Sequence, residues 1–188
     1  MALPHAILVS LCEQSGSGYE LARRFDRSIG YFWAATHQQI YRTLRTMEQD
    51  GWIQVEVVEQ DARPDKKVYD VTEAGRAELC RWIAEPLSGR GSSTNDSSTR
   101  DLAVKIRGAS FGTDATTAAL LDQVVGLRRQ RAETLDAYLR FAKRQFPAPA
   151  ALTGAALNQY LVLRGGIRAE QGSVDWLDEV LDAMGGRS

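Results

Sequence analysis

Residues 36–71 read THQQIYRTLRTMEQDGWIQVEVVEQDARPDKKVYDV and join the signals of a helix to those of a β-hairpin. Thr36 followed three residues later by Gln39 fits a capping box, in which each side chain accepts a hydrogen bond from the backbone amide of the other residue. Gly51 supplies a stop signal. At about 100° per residue, one face between these ends is apolar: Ile40, Leu44 and Met47. We therefore predict a helix from Thr36 to Asp50.

The opposite face of this predicted helix carries long hydrogen-bonding side chains: Gln38, Arg42, Arg45 and Gln49. Arg pairs with guanine in a major groove and Gln pairs with adenine, so this face has the chemistry of a base-reading surface. His37 and Tyr41 flank it near the helix N-terminus, where the helix dipole also favours phosphate. A solvated amphipathic helix has the same pattern, so this helix by itself leaves both interpretations open.

Two β-rich runs follow the helix, at residues 52–60 and 68–71, with a charged, proline-containing turn between them. Thr72 is placed to cap a short helix after the second run. Basic residues lie at or beside the tip of the predicted hairpin: Arg63, Lys66 and Lys67. Three helices followed by a basic-tipped hairpin form a winged helix-turn-helix, in which the third helix enters the major groove and the wing contacts phosphate or the minor groove. The combination favours binding to double-stranded DNA.

Two further helices precede this stretch. Apolar spacing predicts the first at Leu3–Cys12, and Ser17 with Glu20 forms a second capping box that begins the next helix. We interpret the glycines of residues 16–18 as a turn rather than a phosphate loop, because no strand is predicted before them and no Lys-Ser/Thr follows. Three aromatic residues in the connection to the third helix are expected to pack at the joint: Tyr31, Phe32 and Trp33.

The rest of the chain divides into a linker and a helical region. Residues 86–99 are rich in Ser and Gly and indicate a flexible linker. Beyond it we predict a long helix from Asp114 to Phe146 and a final helix from Leu152. These helices have too few other core elements to bury both apolar faces, so a two-fold partner is expected to complete a bundle. The prediction is a mainly α chain with a small β-hairpin, made of a winged helix-turn-helix at 1–85, the linker and a helical dimerisation domain at 100–188.

Composition argues against several classes of protein. The chain is 44% hydrophobic and 25% charged with a net charge of -1, which is typical of a globular protein and not of one that coats polyanions with its whole surface. No apolar run approaches the roughly 20 residues of a membrane span, and the N-terminus lacks an export signal, so we expect a cytoplasmic protein. Cys12, Cys80, His5 and His37 do not have the spacing of a metal site or a catalytic arrangement. We therefore expect no metal, no cofactor and no catalytic residues.

Three segments resemble a known family: GYELARRFDRSIGYFWAATHQQIYRTLRTMEQDGWI, RPDKKVYDVTEAGRAEL and YLVLRGGIRAEQGSVDWLDEVL. They are similar to the PadR family of transcriptional regulators over nearly the whole chain apart from the linker. The resemblance implies a winged-helix DNA-binding domain with a helical C-terminal dimerisation domain, usually acting as a repressor that a small aromatic compound often relieves. It places the reading helix at Thr36–Asp50, the wing at Ile53–Val71, and DNA contacts at Gln38, Gln39, Tyr41 and Arg42.

The resulting prediction is a homodimeric regulator that binds a palindromic operator, with a small aromatic molecule as its effector. Trp176, in the predicted dimerisation helix, is the first candidate among four tryptophans to line a ligand pocket, although core packing explains the same residues. A winged helix that serves as a protein-protein interaction module is the alternative function, in which case the basic residues are ordinary surface. An enzyme is the third class, and the sequence offers it no converging nucleophile, acid-base pair or metal set.

Overall fold

The computed structural model describes residues 3–27, 35–59, 66–87 and 97–186. The elements follow one another in this order: α1 (Leu3–Glu13), β1 (Gly16–Ser17), α2 (Gly18–Arg27), α3 (His37–Gln49), β2 (Ile53–Val58), β3 (Lys66–Val71), α4 (Glu73–Ala84), α5 (Ser97–Gly108), α6 (Asp114–Gln145) and α7 (Gly154–Gly185). Short 3-10 turns lie at Ala109–Phe111 and Pro149–Ala151. Some residues with a predicted role lie outside the described part of the chain: Tyr31, Phe32, Trp33, Arg63 and most of the predicted linker.

Helix α1 is buried along most of its length. Every residue from His5 to Leu11 is buried, and α1 contacts α2, α3, α4, α5 and β3. A helix that is buried on all sides needs such surroundings, because any uncovered face would leave apolar side chains in water. Helix α1 is therefore the centre around which the winged helix is assembled.

A three-stranded antiparallel sheet completes the winged helix, with the strand order β1-β3-β2. The pairing of β2 with β3 runs from Ile53 opposite Val71 to Val58 opposite Lys66. This register confirms the predicted hairpin. The mainly helical chain with a small sheet is the fold class that the sequence predicted.

The prediction of a simple turn at residues 16–18 was wrong. Gly16 pairs with Tyr69 and Ser17 pairs with Val68, so the segment forms strand β1 along the outer edge of β3. An edge strand carries backbone amides and carbonyls without a partner strand, and a two-residue extended segment before α2 supplies partners for some of them. The wing is thereby attached to the start of α2.

Helix α3 has both of its predicted ends. The Thr36 hydroxyl accepts a hydrogen bond from the Gln39 amide at 3.2 Å, and the Thr36 amide donates to Gln39 Oε1 at 2.9 Å. At the other end Gly51 has φ 73°, and the Trp52 amide donates to the Met47 carbonyl at 2.9 Å. This is a Schellman motif, in which glycine adopts the left-handed conformation at little steric cost. The predicted apolar face is buried: Ile40, Leu44 and Met47.

The base of the wing and the start of α4 approach each other at backbone distance. The Thr72 amide donates to the Trp52 carbonyl at 3.0 Å, and the Thr72 hydroxyl accepts from the Gly75 amide at 3.1 Å as the N-cap of α4. A Cβ on Gly75 would lie 2.1 Å from the Trp52 carbonyl oxygen. Only glycine fits at this position without movement of the backbone.

A buried lysine holds α5 against α4. Lys105 is 2% exposed, its Nζ donates to the backbone carbonyl of Glu85 just after α4, and it lies 5.2 Å from the centre of the Trp82 ring. Burial lowers the pKa of Lys105 to about 8, and the nearby Asp101 acts in the opposite direction. A cation is favoured both at a helix C-terminus and over an aromatic face, which offsets part of the cost of burial.

Contacts divide the chain into two compact units. The first contains the described residues up to Leu87 and from Ser97 to Leu120, and the second runs from Leu121 to the end of α7. Helix α5 thus groups with the winged helix, whereas the predicted dimerisation domain begins at residue 100. The linker at residues 86–99 stays a prediction, because most of it lies outside the described residues.

The second unit consists of α7 and most of α6. Arg128 donates two hydrogen bonds to Asp178, at 2.9 and 3.0 Å, and Arg131 lies 3.4 Å from the buried Glu170. Its buried apolar residues include Leu135, Ile167, Val174, Leu177 and Val180. Other large apolar side chains are exposed: Val125, Leu139, Phe141, Leu161 and Val162. The unit therefore leaves apolar surface accessible to solvent.

We expect Gly75→Ala to lower the free energy of unfolding by about 3 kcal/mol, the upper part of the range for overpacking, because its neighbour is a backbone carbonyl and not a flexible side chain. Urea denaturation measures the change. Gly172→Ala in α7 is the matched control, since a Cβ there meets no atom within 4 Å, and alanine should be neutral or stabilising by up to about 1 kcal/mol. Similar losses of stability in both variants would contradict the close approach.

A second prediction concerns the stability of the fold at alkaline pH. The pKa of Lys105 is lower in the folded protein than its ordinary value of 10.5, so the unfolded chain binds more protons between these two values and stability rises with pH in that window. The free energy of unfolding of the wild type should therefore increase relative to that of Lys105→Met from about pH 8 upward. Lys143→Met changes a lysine at an exposed position of α6. This control variant should keep the pH dependence of the wild type, so that the difference between the two free energies of unfolding does not grow with pH. A pH-independent difference between wild type and Lys105→Met would contradict the burial of the amine.

Candidate nucleic-acid interface

The exposed face of α3 brings most of the predicted base-reading residues together. They surround one surface depression: His37, Gln38, Tyr41, Arg42 and Arg45. All of these side chains are exposed, while the opposite face of the helix is buried. The helix is thus fixed from one side and accessible to a partner from the other.

Gln39 occupies a different place in α3 from the other predicted contact residues. Its Oε1 accepts hydrogen bonds from the Thr36 amide at 2.9 Å and from the Thr36 hydroxyl at 3.2 Å. The carbonyl oxygen of this side chain therefore caps the helix, and only the amide nitrogen lies outside these two bonds. A contact from Gln39 to DNA would have to use that nitrogen.

Tyr41 joins α3 to the start of α2. A Cβ on Gly18 would lie 2.4 Å from Cε1 of Tyr41, so the tyrosine ring packs directly against the glycine backbone. Tyr41 is still 47% exposed. This role of Gly18 was not predicted from the sequence. The signal in the sequence was a glycine directly after the N-cap Ser17. Because larger residues are tolerated at that position, the glycine alone did not indicate a close contact.

The two described lysines of the wing have different surroundings. Lys67 is exposed, whereas Lys66 Nζ lies 2.9 Å from Glu20 Oε1. Glu20 also accepts hydrogen bonds from the Ser17 amide at 2.8 Å and the Ser17 hydroxyl at 2.9 Å. The Ser17 amide and Lys66 together lower the pKa of Glu20 to about 2. Lys66 therefore attaches β3 to α2 through a carboxylate that stays ionised.

A second basic depression lies between α2 and the wing. Its lining includes Gly16, Glu20, Arg23, Arg24, Arg27 and Lys66. Arg24 Nη1 donates to the Ser10 carbonyl at 2.8 Å and also to the Gln14 carbonyl, so this side chain caps the end of α1. Arg23 and Arg27 are exposed. None of these three arginines was predicted from the sequence to have a role, although two of them follow the helical spacing of an exposed face.

Two of the four tryptophans pack in the winged helix around a histidine. The ring of His5 stacks on Trp82, with centroids 4.3 Å apart and an interplanar angle of 6°, and its centroid lies 6.0 Å from that of Trp52. His5 Nε2 lies 2.9 Å from Glu78 Oε1, and burial lowers the pKa of His5. Trp176, the predicted ligand residue, is half-buried in α7 and belongs to the other unit.

The described residues contain no group of three or more His, Cys, Asp or Glu side chains placed to hold a metal ion. Cys12 and Cys80 are free thiols of intermediate burial. None of the helices formed by the described residues combines the length and the apolar character that a membrane span requires.

Sequence comparisons find relatives along the whole chain. The family described as transcriptional regulator PadR-like matches residues 7–81, and the one described as virulence activator alpha C-term matches residues 100–185. The probable transcriptional regulator Rv1176c of Mycobacterium tuberculosis (strain ATCC 25618 / H37Rv) is 66% identical over 188 residues, which cover 98% of each chain. The negative transcriptional regulator PadR of Bacillus subtilis (strain 168) is 28% identical over 181 residues, which cover 95% of each chain.

Solved structures of Bacillus subtilis PadR align with the whole chain. The complex with operator DNA has 24% identity and a TM-score of 0.47, and the complex with p-coumaric acid has 25% identity and a TM-score of 0.43. Each alignment covers 98% of this chain and 99% of that chain. The family assignment rests on the match at residues 7–81 and on the 66% identity to the Mycobacterium protein. The chain therefore belongs to the PadR-like family of DNA-binding transcriptional regulators, with a winged helix-turn-helix in its N-terminal half.

Proposed function

We propose that the protein is a homodimeric repressor that binds a palindromic operator through α3 of each protomer. The observation that carries this proposal is the exposed face of α3, where the cluster of His37, Gln38, Tyr41, Arg42 and Arg45 surrounds one depression. These are groups that read bases or bind phosphate. Negative regulation is taken from the name of the Bacillus subtilis relative, and we assign the protein no catalytic role.

Gln38, Arg42 and Arg45 are the residues that we assign to base recognition. Residues three and four apart are neighbours on a helix surface at about 5–6 Å, which fits bases one or two steps apart on a duplex with about 3.4 Å between steps. Among the described residues neither arginine has an ion-pair partner, so both guanidinium groups can offer a bidentate pair of donors to guanine. His37 and Tyr41 border this face and are assigned to supporting contacts, as is the amide nitrogen of Gln39.

The wing is assigned to phosphate contacts, which position the protein and carry no sequence information. Lys67 is exposed and suits this role, and Arg63 is predicted to join it. Lys66 is already paired with Glu20, so its part is to hold the wing against α2, and a phosphate would have to compete with that carboxylate.

A second copy of the chain is the partner that we assign to the C-terminal helices. Several apolar residues of α6 and α7 are exposed, including Leu161 at 57% and Val162 at 78%. Contact with a partner chain would remove these side chains from water. Two-fold symmetry would also set two copies of α3 about one helical turn of duplex apart, as a palindromic operator requires. Residues 86–99 stay the predicted linker of this proposal, although its last residues, from Ser97, lie in α5, which groups with the winged helix.

A small aromatic molecule is the effector that we propose for release from the operator. Trp176 is our candidate contact because it is half-buried on one of the proposed dimerisation helices, where a pocket between protomers would have an aromatic wall. We place the protein in the cytoplasm, where an operator-binding regulator has access to its DNA.

The experiment that tests this function is a binding measurement with the DNA upstream of the protein's own gene, against a scrambled duplex, over a salt series. We expect selective binding that weakens with salt, with two protomers per site. If the upstream DNA is not bound selectively, the next experiment is the selection of binding sites from a random-sequence pool. Failure of that selection as well would favour a winged-helix protein-protein interaction module.

Variants of the two contact types should behave differently. Arg42→Ala or Gln38→Ala should reduce discrimination between operator and scrambled DNA by about 1–3 kcal/mol, because the shortened side chain no longer reaches a base. Lys67→Ala should weaken binding to both duplexes alike and reduce the slope of log affinity against log salt by about 1. Titrations of both kinds of variant at several salt concentrations make the comparison. Identical behaviour would contradict the placement of α3 in the groove.

Ligand binding is tested by tryptophan fluorescence. We expect phenolic acids, beginning with p-coumaric acid, to quench the fluorescence of the wild type, and Trp176→Phe to lose most of that quenching. Trp52→Phe, which alters a tryptophan of the winged helix, should retain it. Calorimetry on the same panel provides a second readout. Absence of both quenching and heat across the panel would refute the aromatic effector.

A further inference from the structure

The outer face of α2 carries two arginines that the proposed contacts leave unused. At about 100° per residue, Arg23 and Arg27 lie opposite the buried face of the helix, and both side chains are exposed. The buried face is fully covered: Leu21 at 0%, Ala22 at 0% and Phe25 at 1% exposure. The arginines therefore project from a helix that is held firmly in the core.

Other described ionic side chains at this depression already have partners within the chain. Among the described residues that line the depression, Glu20 is the acidic one, and it is paired with Lys66 at 2.9 Å. Arg24 is directed to the backbone carbonyls of Ser10 and Gln14. Among the described residues neither Arg23 nor Arg27 has an ion-pair partner. The described lining consequently has an excess of positive charge, to which Arg23, Arg24 and Arg27 all contribute. Arg23 and Arg27 are the exposed members of this set.

The first turn of α2 contacts both of the elements that we assign to DNA. Gly18 packs against the Tyr41 ring of α3, and Glu20 is bound to Lys66 of the wing strand β3. Arg23 follows one turn later, with its Cζ 5.9 Å from the centre of the Tyr19 ring. A duplex that meets both α3 and the wing would thus bring its backbone to the outer face of α2.

We infer that Arg23 and Arg27 bind a backbone phosphate of the operator beside the groove that α3 occupies, an inference that rests on the proposed function. The ligand class is a phosphodiester, which accepts charge-assisted hydrogen bonds from a guanidinium group. Because phosphate contacts position a protein without reading sequence, these arginines fix the approach of α3 and do not select bases. Because Lys66 of the wing is paired with Glu20, we assign to Arg23 and Arg27 part of the phosphate binding that the sequence predicted for that lysine.

The test compares Arg23→Ala/Arg27→Ala with wild type on a duplex selected by the wild type from a random-sequence pool. We expect weaker binding to selected and scrambled duplexes alike, and a salt slope reduced by about 1 for each phosphate that the variant no longer binds. Arg23→Lys/Arg27→Lys keeps the charge and should restore the slope. Arg168→Ala, which removes a charge at an exposed position of α7, should leave affinity and slope unchanged. Circular dichroism melts confirm that the variants fold.

Methylphosphonate duplexes locate the contact. Neutralising single phosphates that flank the half-site should weaken the wild type at one or two positions and should not weaken Arg23→Ala/Arg27→Ala at those positions. If wild type binds selectively but the alanine variant keeps its affinity, salt slope and methylphosphonate pattern, the inference is overturned and the proposed function stands. If wild type selects no duplex at all, the proposed function fails first, and the inference fails with it.

Discussion

The burial of α1 on all sides is the constraint on which the winged helix depends. No face of the segment from His5 to Leu11 is left for solvent, so α2, α3, α4, α5 and β3 must all pack against it at once. Each of those elements can then bury its apolar face on α1 and expose its opposite face to solvent. The polar face of α3 is accessible because its apolar face, at Ile40, Leu44 and Met47, is committed to this core.

Two glycines convert this general packing into a defined geometry at the proposed interface. Gly18 lets the Tyr41 ring approach α2, and Gly75 lets the Trp52 carbonyl approach α4. The first contact sets α3 relative to α2, and the second sets the base of the wing relative to α4. Because side chains in a densely packed interior have little freedom to move, the spacing between α3 and the wing depends on how each of them contacts its neighbour, α2 or α4.

The parts of the fold that the sequence predicted are those with local signals. The capping box at Thr36 and Gln39 and the glycine stop at Gly51 each involve residues close in sequence, and the structure contains both. Strand β1 and the pairing of Lys66 with Glu20 were missed, because each depends on β3 passing beside α2, a contact between residues far apart in the chain. Helical spacing alone predicted the clustering of the α3 side chains. The proposed role of Arg23 and Arg27 of α2, in contrast, depends on the contacts of α2 with α3 and the wing, which the sequence did not reveal.

The near-zero net charge hides a separation of charge within the winged helix. The first 85 residues contain more acidic than basic side chains, yet several carboxylates are bound inside the unit: Glu13 to Arg107, Glu20 to Lys66, Glu78 to His5 and Arg81, and Glu85 to Arg81. Because these pairs also use the cations Lys66, Arg81 and Arg107, they hardly change the net charge, but they hold these carboxylates away from α3. Arg42 and Arg45, on the exposed face of α3, have no described carboxylate as partner. For a polyanion the relevant quantity is the local field, which falls off within about 10 Å at 0.1 M salt. A net charge of -1 is therefore compatible with a basic interface, because the positions of the charges, and not their sum, decide the field that a polyanion meets at α3.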